Sequence, residues 1–202
     1  MKDVKIKICG LKRLEDVELM NVVQPDYVGF IINFPKSHRS KTPQEVEILA
    51  SRLDKSIQRV GVFVNQPIEV PMEMAKSGTL DVIQLHGDED ADYIQTLKAE
   101  IQKPVMKAFR VRTTADVTSA MTSTADMILL DAGCGSGSTF DWNVIPKEVT
   151  RPYFLAGGLT PENMEDAYGR LHPYGLDISS GVETDGWKDP RKVQSILEWR
   201  NT

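Results

Sequence analysis

The feature that most constrains the fold is a regular alternation of short apolar runs with helix-like segments along the whole chain. Eight runs are rich in Val, Ile, Leu and Phe, and most of them are close to uniformly apolar. Runs of this kind are typical of parallel strands that are covered on both faces of their sheet. The predicted strands are 4–9, 26–32, 59–64, 81–86, 104–109, 126–131, 152–157 and 175–180.

Helix start signals lie between several of these strands. Thr42 is followed by Pro43 and then by Glu45, which is the sequence of a capping box with proline in the first turn. Thr160 begins a second Thr-Pro segment of the same kind, and the segments that begin at 88 and 189 start with acidic residues. Acidic residues favour a helix N-terminus. The segments after 113 and 143 have weaker signals.

The number of strand–helix units predicts the architecture. Eight units in 202 residues average about 25 residues each, which fits a compact barrel. We therefore predict an α/β fold, a single (β/α)8 TIM barrel in which residues 1–202 form one domain. A doubly wound open sheet is the alternative. That fold normally has G-x-G-x-x-G directly after its first strand, and the segment "CGLKRLED" lacks it.

Composition and charge exclude several classes of function. A net charge of −5 without a basic run argues against nucleic acid as a partner. No apolar stretch approaches the roughly 20 residues that cross a membrane, and the N-terminus lacks the apolar region of a signal peptide. Cys9 and Cys134 form no CxxC or Cys/His cluster, so neither a disulfide scaffold nor a metal site is predicted. Together these features predict a cytoplasmic protein.

Polar and reactive residues follow most of the predicted strands. In a (β/α)8 barrel the chemistry lies at the C-terminal ends of the strands, so these residues are expected to meet at one end of the barrel. The residues are Cys9, Asn33, Arg39, Asn65, His86, Arg110, Asp131, Gly157, Gly158, Ser179, Ser180 and Gly181.

Three loops of small residues predict a site for a phosphate group. "LAGGLTPENM" places two glycines at the end of the seventh strand, and "DISSGVE" places Ser-Ser-Gly after the eighth. Small residues let backbone N–H groups approach an anion, and phosphate sites of such barrels are often built from these two loops. The segment "GCGSGSTFDW", residues 133–142, is predicted to form a third, flexible loop that completes the cradle. The predicted ligand is a small phosphorylated molecule.

The ordered set of motifs resembles a known enzyme family. "KICGL", "VGVFVN", "QLHGDE", "LLD" followed by "GSGSTFDW", "LAGGLTPENM" and "GLDISSGVE" are similar to phosphoribosylanthranilate isomerase of tryptophan biosynthesis. The resemblance implies a (β/α)8 barrel that uses no metal or organic cofactor. It also implies an Amadori rearrangement, which converts N-(5-phosphoribosyl)anthranilate into carboxyphenylamino-deoxyribulose phosphate.

The resemblance implies roles for particular residues. The family's catalytic base falls on Cys9 and its catalytic acid on Asp131, whereas the arginine that meets the anthranilate carboxylate falls on Arg39. The family's phosphate-binding residues fall on Gly157, Gly158, Ser180 and Gly181, with Gly137 and Ser138 in a loop that covers the site.

Two further candidates for substrate binding, His86 and Asp177, can each be interpreted in two ways. His86 either lines the substrate site or makes a structural hydrogen bond to a neighbouring turn. Asp177 either faces the sugar or only braces the last strand. Cys134 matches no catalytic position of the family and is interpreted as incidental.

The chemistry sets opposite requirements for the two catalytic candidates. A free thiol has a pKa near 8.5, so the site must either stabilise the thiolate of Cys9 or use its small ionised fraction. A free Asp has a pKa near 3.9, so an acid role for Asp131 requires a proton held there or passed on from the substrate. Both groups are therefore expected in one partly desolvated pocket.

Alternative functions remain at this point. Another aminoaldose–aminoketose isomerase, from the histidine pathway, would use a pair of aspartates. Ribulose-phosphate epimerase would need metal-binding histidines. The third alternative is a non-catalytic barrel that only binds a phosphorylated ligand. The sequence is compatible with a monomer and with a homodimer.

Overall fold

Eight parallel strands form a closed ring in the structure. The computed structural model describes residues 2–131, 142–146 and 148–202. Within these ranges each strand pairs with its neighbours in chain order, and the first strand pairs with both the second and the eighth. The predicted (β/α)8 barrel is confirmed. The strands are β1 Lys5–Cys9, β2 Tyr27–Ile32, β3 Gln58–Phe63, β4 Val82–Leu85, β5 Val105–Arg110, β6 Met127–Asp131, β7 Tyr153–Ala156 and β8 Gly175–Ile178.

Seven α-helices surround the described part of the barrel. The capping box predicted at Thr42 is present, with both reciprocal hydrogen bonds to Glu45. Asp90 and Asp189 cap the two helices predicted to begin with acidic residues. The helices are α1 Leu14–Val23, α2 Pro43–Ala50, α3 Glu69–Lys76, α4 Ala91–Glu100, α5 Thr114–Met121, α6 Met164–Leu171 and α7 Pro190–Asn201.

The prediction that Thr160 begins a helix is wrong. Helix α6 begins at Met164, with Asn163 before it. The Asn163 side chain accepts a hydrogen bond from the Thr160 N–H and donates one to the Gly158 carbonyl. These bonds close a turn directly after β7, so the helix starts one turn later than the Thr-Pro pattern indicates.

The weaker helix signals after 113 and 143 have different outcomes. Thr113 and Asp116 form a second capping box at the start of α5. Near 143, the described residues contain only the short 3-10 helix Trp142–Val144.

Side chains alternate between two packed layers. Along β1, Ile6 and Ile8 belong to the large core between the strands and the helices. Lys7 and Cys9, on the other face of the same strand, point into the ring, because successive side chains of a strand point to opposite faces. The interior of the ring is filled by a separate apolar cluster: Val60, Val82, Met106, Ala108, Leu129, Phe154 and Ala156.

Three short strands besides the eight of the ring lie at the C-terminal end of the described barrel. Ser40–Lys41 pairs with β2, in the loop that carries Arg39. Glu183–Thr184 and Trp187–Lys188 form an antiparallel pair after β8.

Across the described ranges, no helix combines the length and apolar character needed to span a bilayer.

Candidate active site

A cavity of about 340 Å³ opens at the C-terminal ends of the strands. It brings together most of the predicted site residues, as expected for this end of a barrel. Gly181 is not part of the cavity lining, but it directly follows the lining residue Ser180 in the loop after β8. Cys134, Gly137 and Ser138 lie outside the described residues. The predicted residues that line the cavity are Cys9, Arg39, His86, Arg110, Asp131, Gly157, Gly158, Asp177, Ser179 and Ser180.

Not every polar strand end belongs to the cavity. Asn33 and Asn65 are absent from its lining. Both adopt a positive φ of 50°, a left-handed conformation that asparagine tolerates better than most residues. They are therefore turn residues, and the strand-end pattern alone does not separate such residues from those of the site.

Cys9 is the last residue of β1, and its thiol is almost completely buried. Burial raises the pKa of the Cys9 thiol, because a thiolate loses its hydration there, and the Asp177 carboxylate adds to that rise. The ammonium groups of Lys7 and Lys188 act in the opposite direction and favour the thiolate. The thiol therefore lies in a dry environment with charged groups on several sides.

A buried ion pair lies beside Cys9. Lys7 Nζ donates to Asp177 Oδ1 at 2.9 Å, and the Lys7 side chain is fully buried. The sequence interpretation gave Lys7 no role. The usable signal was its position two residues before Cys9, because residues at i and i+2 of a strand share one face.

Asp131 and His86 form a second polar group, on another wall of the cavity. His86 Nε2 lies 3.0 Å from Asp131 Oδ2. Gln84 Nε2 lies 3.2 Å from His86 Nδ1, and an amide nitrogen can only donate, so Nδ1 accepts and Nε2–H points to Asp131. Both ring nitrogens of His86 thus bond to residues that line the cavity. Within the described ranges, the imidazole makes no hydrogen bond to a neighbouring turn, which was the alternative interpretation. Gln84, which sequence reasoning missed, keeps its Oε1 atom buried without a hydrogen-bond partner among the described residues.

Arg39 is held at the rim by a carboxylate that sequence reasoning also missed. Its Nε and Nη2 donate to the two carboxylate oxygens of Glu183 at 2.7 and 2.5 Å. Lys188 Nζ donates to the same carboxylate at 2.9 Å and to the Ser179 carbonyl at 3.0 Å. Burial opposes ionisation of Glu183, but the bonds from Arg39 and Lys188 outweigh it and lower the Glu183 pKa to about 2.

The loops after β7 and β8 require small residues. Gly157 and Gly158 have positive φ values of 94° and 67°, which other residues rarely adopt. A Cβ atom on Gly181 would lie 1.9 Å from the Leu159 carbonyl oxygen, so the two loops touch at this glycine. Ser180 begins the 3-10 helix Ser180–Val182. Together these residues bring backbone close to the cavity.

The arrangement suits proton transfer on a small anionic molecule. A thiol and a carboxyl group line one cavity, an arginine lies at its rim, and glycine-rich backbone borders it. Among the described residues, no three His, Cys, Asp or Glu side chains are grouped so as to hold a metal ion.

Comparison with known proteins agrees with this geometry. The family model described as N-(5'-phosphoribosyl)anthranilate (PRA) isomerase matches residues 6–199. A relative from Thermoanaerobacter sp. (strain X514), named N-(5'-phosphoribosyl)anthranilate isomerase, is 43% identical over 201 residues, covering 96% of this chain and 97% of the relative.

Solved structures of similar proteins extend the comparison to three dimensions. Monomers of the dimeric phosphoribosylanthranilate isomerase of Thermotoga maritima are 33% identical, with a TM-score of 0.85 and 98% of each chain covered. A phosphoribosylanthranilate isomerase in complex with reduced 1-(o-carboxyphenylamino)-1-deoxyribulose 5-phosphate is 34% identical, with a TM-score of 0.85 and the same coverage. The chain therefore belongs to the N-(5'-phosphoribosyl)anthranilate isomerase family.

Proposed function

We propose that the cavity catalyses the family's reaction by general acid–base catalysis, with Cys9 as the base and Asp131 as the acid. The chain is an isomerase of tryptophan biosynthesis that converts N-(5'-phosphoribosyl)anthranilate into 1-(2-carboxyphenylamino)-1-deoxyribulose 5-phosphate. The observation that carries the assignment of roles is that Cys9 and Asp131 line one cavity from different strands of the ring. A molecule between them can lose a proton on one side and gain one on the other.

The reaction uses the two groups one after the other. Asp131 gives a proton to the ring oxygen of the sugar, the bond from that oxygen to the anomeric carbon breaks, and an open-chain Schiff base forms. The Cys9 thiolate then takes the proton from the neighbouring carbon, and the electron pair of that C–H bond forms the enolamine. The enolamine tautomerises to the ketone, so the reaction needs no external oxidant or reductant.

His86 supports the acid in this mechanism. Its Nε2 atom lies 3.0 Å from the Asp131 carboxylate, and the His86 side chain is one-third exposed. A proton can therefore reach Asp131 through the imidazole between turnovers. The Oε1 atom of Gln84 is buried and has no hydrogen-bond partner within the described ranges, so it offers an acceptor for a hydroxyl group of the sugar.

Arg39 binds the anthranilate carboxylate in this proposal. Glu183 already occupies two of its N–H groups and fixes the plane of the guanidinium. A guanidinium has five N–H donors, so further donors remain for a substrate carboxylate. Asp177, which lines the cavity and pairs with Lys7, is proposed to accept a hydrogen bond from the sugar as well.

Gly157, Gly158, Ser180 and Gly181 bind the phosphate in this proposal. The positive φ values at the first two and the close approach of Gly181 to Leu159 support backbone N–H groups as the donors. Gly137 and Ser138, proposed to cover the phosphate, lie outside the described residues.

The remaining proposals concern the whole molecule. We propose that residues 1–202 form a single catalytic domain that acts without an organic cofactor or metal and binds neither nucleic acid nor membranes. We place it in the cytoplasm, as the phosphorylated substrate carries charge that hinders its passage across a bilayer. The assembly is proposed to be a monomer or a homodimer, and one of the similar solved proteins is described as dimeric.

Loss of the base tests the proposal. The fluorescence of the anthranilate derivative should fall when wild-type protein is added. With Cys9→Ala the signal should stay nearly flat, with kcat lower by about 10⁴-fold, the upper end of the contribution of a positioned proton acceptor. The variant should still bind the reduced product analogue. Turnover within tenfold of the wild-type rate would show that Cys9 is not the base.

A further inference from the structure

Lys7 is a fully buried lysine in the interior of the barrel, and no step of the isomerisation described above uses it. Burying an ammonium group is costly unless the group is paired. Its pairing and its neighbours should therefore indicate what it does.

The ammonium of Lys7 is fixed between two strands. Lys7 lies opposite Asp177 in the register of β1 and β8, and Nζ donates to Asp177 Oδ1 at 2.9 Å. Burial opposes protonation of Lys7, but Asp177 and Cys9 outweigh it, and the Lys7 pKa is raised above its ordinary value. Lys7 therefore remains protonated at neutral pH.

The same ammonium lies next to the sulfur of Cys9. A Cβ atom on Gly29, the residue of β2 opposite Cys9, would lie 2.6 Å from Cys9 Sγ and 3.1 Å from Lys7 Nζ. Both atoms thus converge on the space that this glycine leaves free. They are less than about 6 Å apart, within the range over which a positive charge favours a neighbouring anion.

The other charged groups around Cys9 have partners that limit their influence. Lys188 and Arg39 both approach from the loops at the rim and share the carboxylate of Glu183. Asp177 approaches from β8 and disfavours the thiolate. Among the groups that favour the thiolate, the ammonium of Lys7 has the largest effect, and that of Lys188 follows it.

We propose that Lys7 is a positioning residue for the isomerisation, whose ammonium, held by Asp177, stabilises the thiolate of Cys9. The thiol proton leaves through the cavity before the substrate is bound, and Lys7 keeps its own proton throughout. The thiolate then takes the carbon-bound proton of the substrate and becomes a thiol again. This inference rests on the proposed role of Cys9 as the base.

The variant Lys7→Met tests the inference by removing the charge while keeping much of the side-chain volume. Alkylation of Cys9 by iodoacetamide is followed against pH by mass spectrometry of its peptide, which separates it from Cys134. The midpoint of alkylation should move to higher pH. The kcat at neutral pH should fall by about 10- to 100-fold and recover partly at higher pH. The KM should change little.

Lys107→Met is the matched control. Lys107 is another almost completely buried lysine, paired with Glu89 at 2.9 Å, but it does not line the cavity of Cys9. The control variant should lose stability without moving the alkylation midpoint. A folded Lys7→Met whose midpoint and kcat–pH profile match those of Lys107→Met would overturn the inference.

A second variant keeps the test decisive if Lys7→Met does not fold. The double variant Lys7→Met/Asp177→Asn removes both charges of the buried pair, so no unpaired carboxylate is left in the interior. Its alkylation midpoint should lie at higher pH than that of Asp177→Asn alone, because the two proteins differ only in the Lys7 ammonium. An equal or lower midpoint in the double variant would contradict the inference. Alkylation reports on the coupling of Lys7 and Cys9 whether or not Cys9 is the base. Failure of the inference is thereby distinct from failure of the proposed function, which Cys9→Ala tests.

Discussion

The two sides of the cavity differ in their contact with solvent. On the β1–β8 side, Cys9, Lys7 and Asp177 are all buried, with exposed fractions of 7%, 0% and 8%. On the other side, the side chains of His86 and Asp131 are 34% and 24% exposed. The side proposed to hold the base is therefore shielded from water and contains a buried ion pair, whereas the side proposed to hold the acid is partly exposed to solvent.

This difference matches the needs of the two proton transfers. Exclusion of water makes a thiolate a stronger base, and a fixed ammonium nearby raises the fraction of the thiol that is ionised. An acid that must regain its proton in every turnover benefits from a histidine and from water. The comparison predicts that variants on the two sides will fail in different ways.

After Cys9→Ala, the largest effect in this comparison is expected for Asp131→Asn. The amide cannot give up a proton as a carboxylic acid does, so kcat should fall by about 10²–10³-fold. We expect a smaller loss than for Cys9→Ala, because His86 remains as a second proton donor beside the position. The change is measured by the same fluorescence assay.

The control for this variant is Asp166→Asn, which changes an exposed carboxylate of α6 and should leave kcat unchanged. The reduced product analogue should bind Asp131→Asn about as well as wild type. Normal turnover would remove Asp131 as the acid.

An intermediate effect is expected for Arg39→Ala, at the rim between the two sides. Loss of a charge-assisted hydrogen bond of about 1.5–3 kcal/mol should raise KM by about 10- to 100-fold, with a smaller change in kcat. Steady-state kinetics at several substrate concentrations separates the two constants.

Arg59→Ala offers a matched control for Arg39→Ala. Arg59 also forms two hydrogen bonds with a carboxylate, that of Asp81, at 2.7 and 2.8 Å, but it lies near the start of β3 and outside the cavity. This variant should lose stability while keeping its KM. An unchanged KM in Arg39→Ala would refute the role in carboxylate binding.

The smallest effect concerns acid stability at the rim. The Glu183 pKa is about 2 in the folded protein and 4.5 in its ordinary state, so the folded state binds fewer protons. The bonds to Arg39 and Lys188 therefore add stability above pH 4.5, and this contribution is lost as the pH falls to about 2.

Glu183→Gln should consequently be less stable than wild type at pH 7, and the difference should shrink at pH 3. Urea unfolding at the two pH values gives the free energies of unfolding. Glu47→Gln, an exposed position on α2, serves as the control and should show no such change. A difference that stays constant or grows toward pH 3 would contradict the ion-pair account.

The fold was predictable because each strand carries its own apolar signal. The eight predicted strands all exist, and their bounds differ from the structure by at most two residues. The start of α6 was not predictable from Thr160, because the Asn163 side chain forms a turn there that a local pattern of Thr and Pro does not reveal.

The site was predictable only where its residues follow a strand or match the family's motifs. Cys9, His86 and Asp131 satisfy both conditions, and the structure brings them to one cavity. Lys188 was missed because its role comes from its bond to Glu183. Glu183 in turn was missed because its role comes from its bonds to Arg39, which lies 144 positions away in the sequence. Long-range pairs of this kind have no signal in a single sequence.

The division of labour between Cys9 and Asp131 is tested most directly by a kinetic isotope effect. The substrate carries deuterium at the sugar carbon beside the anomeric centre, and kcat is compared with that of the ordinary substrate. In Cys9→Ser, the hydroxyl group ionises far less than a thiol, so removal of this proton becomes limiting and a large primary isotope effect is predicted. In Asp131→Asn, ring opening becomes limiting and the effect should fall close to unity. Equal isotope effects in the two variants, or a larger one in Asp131→Asn, would contradict the account.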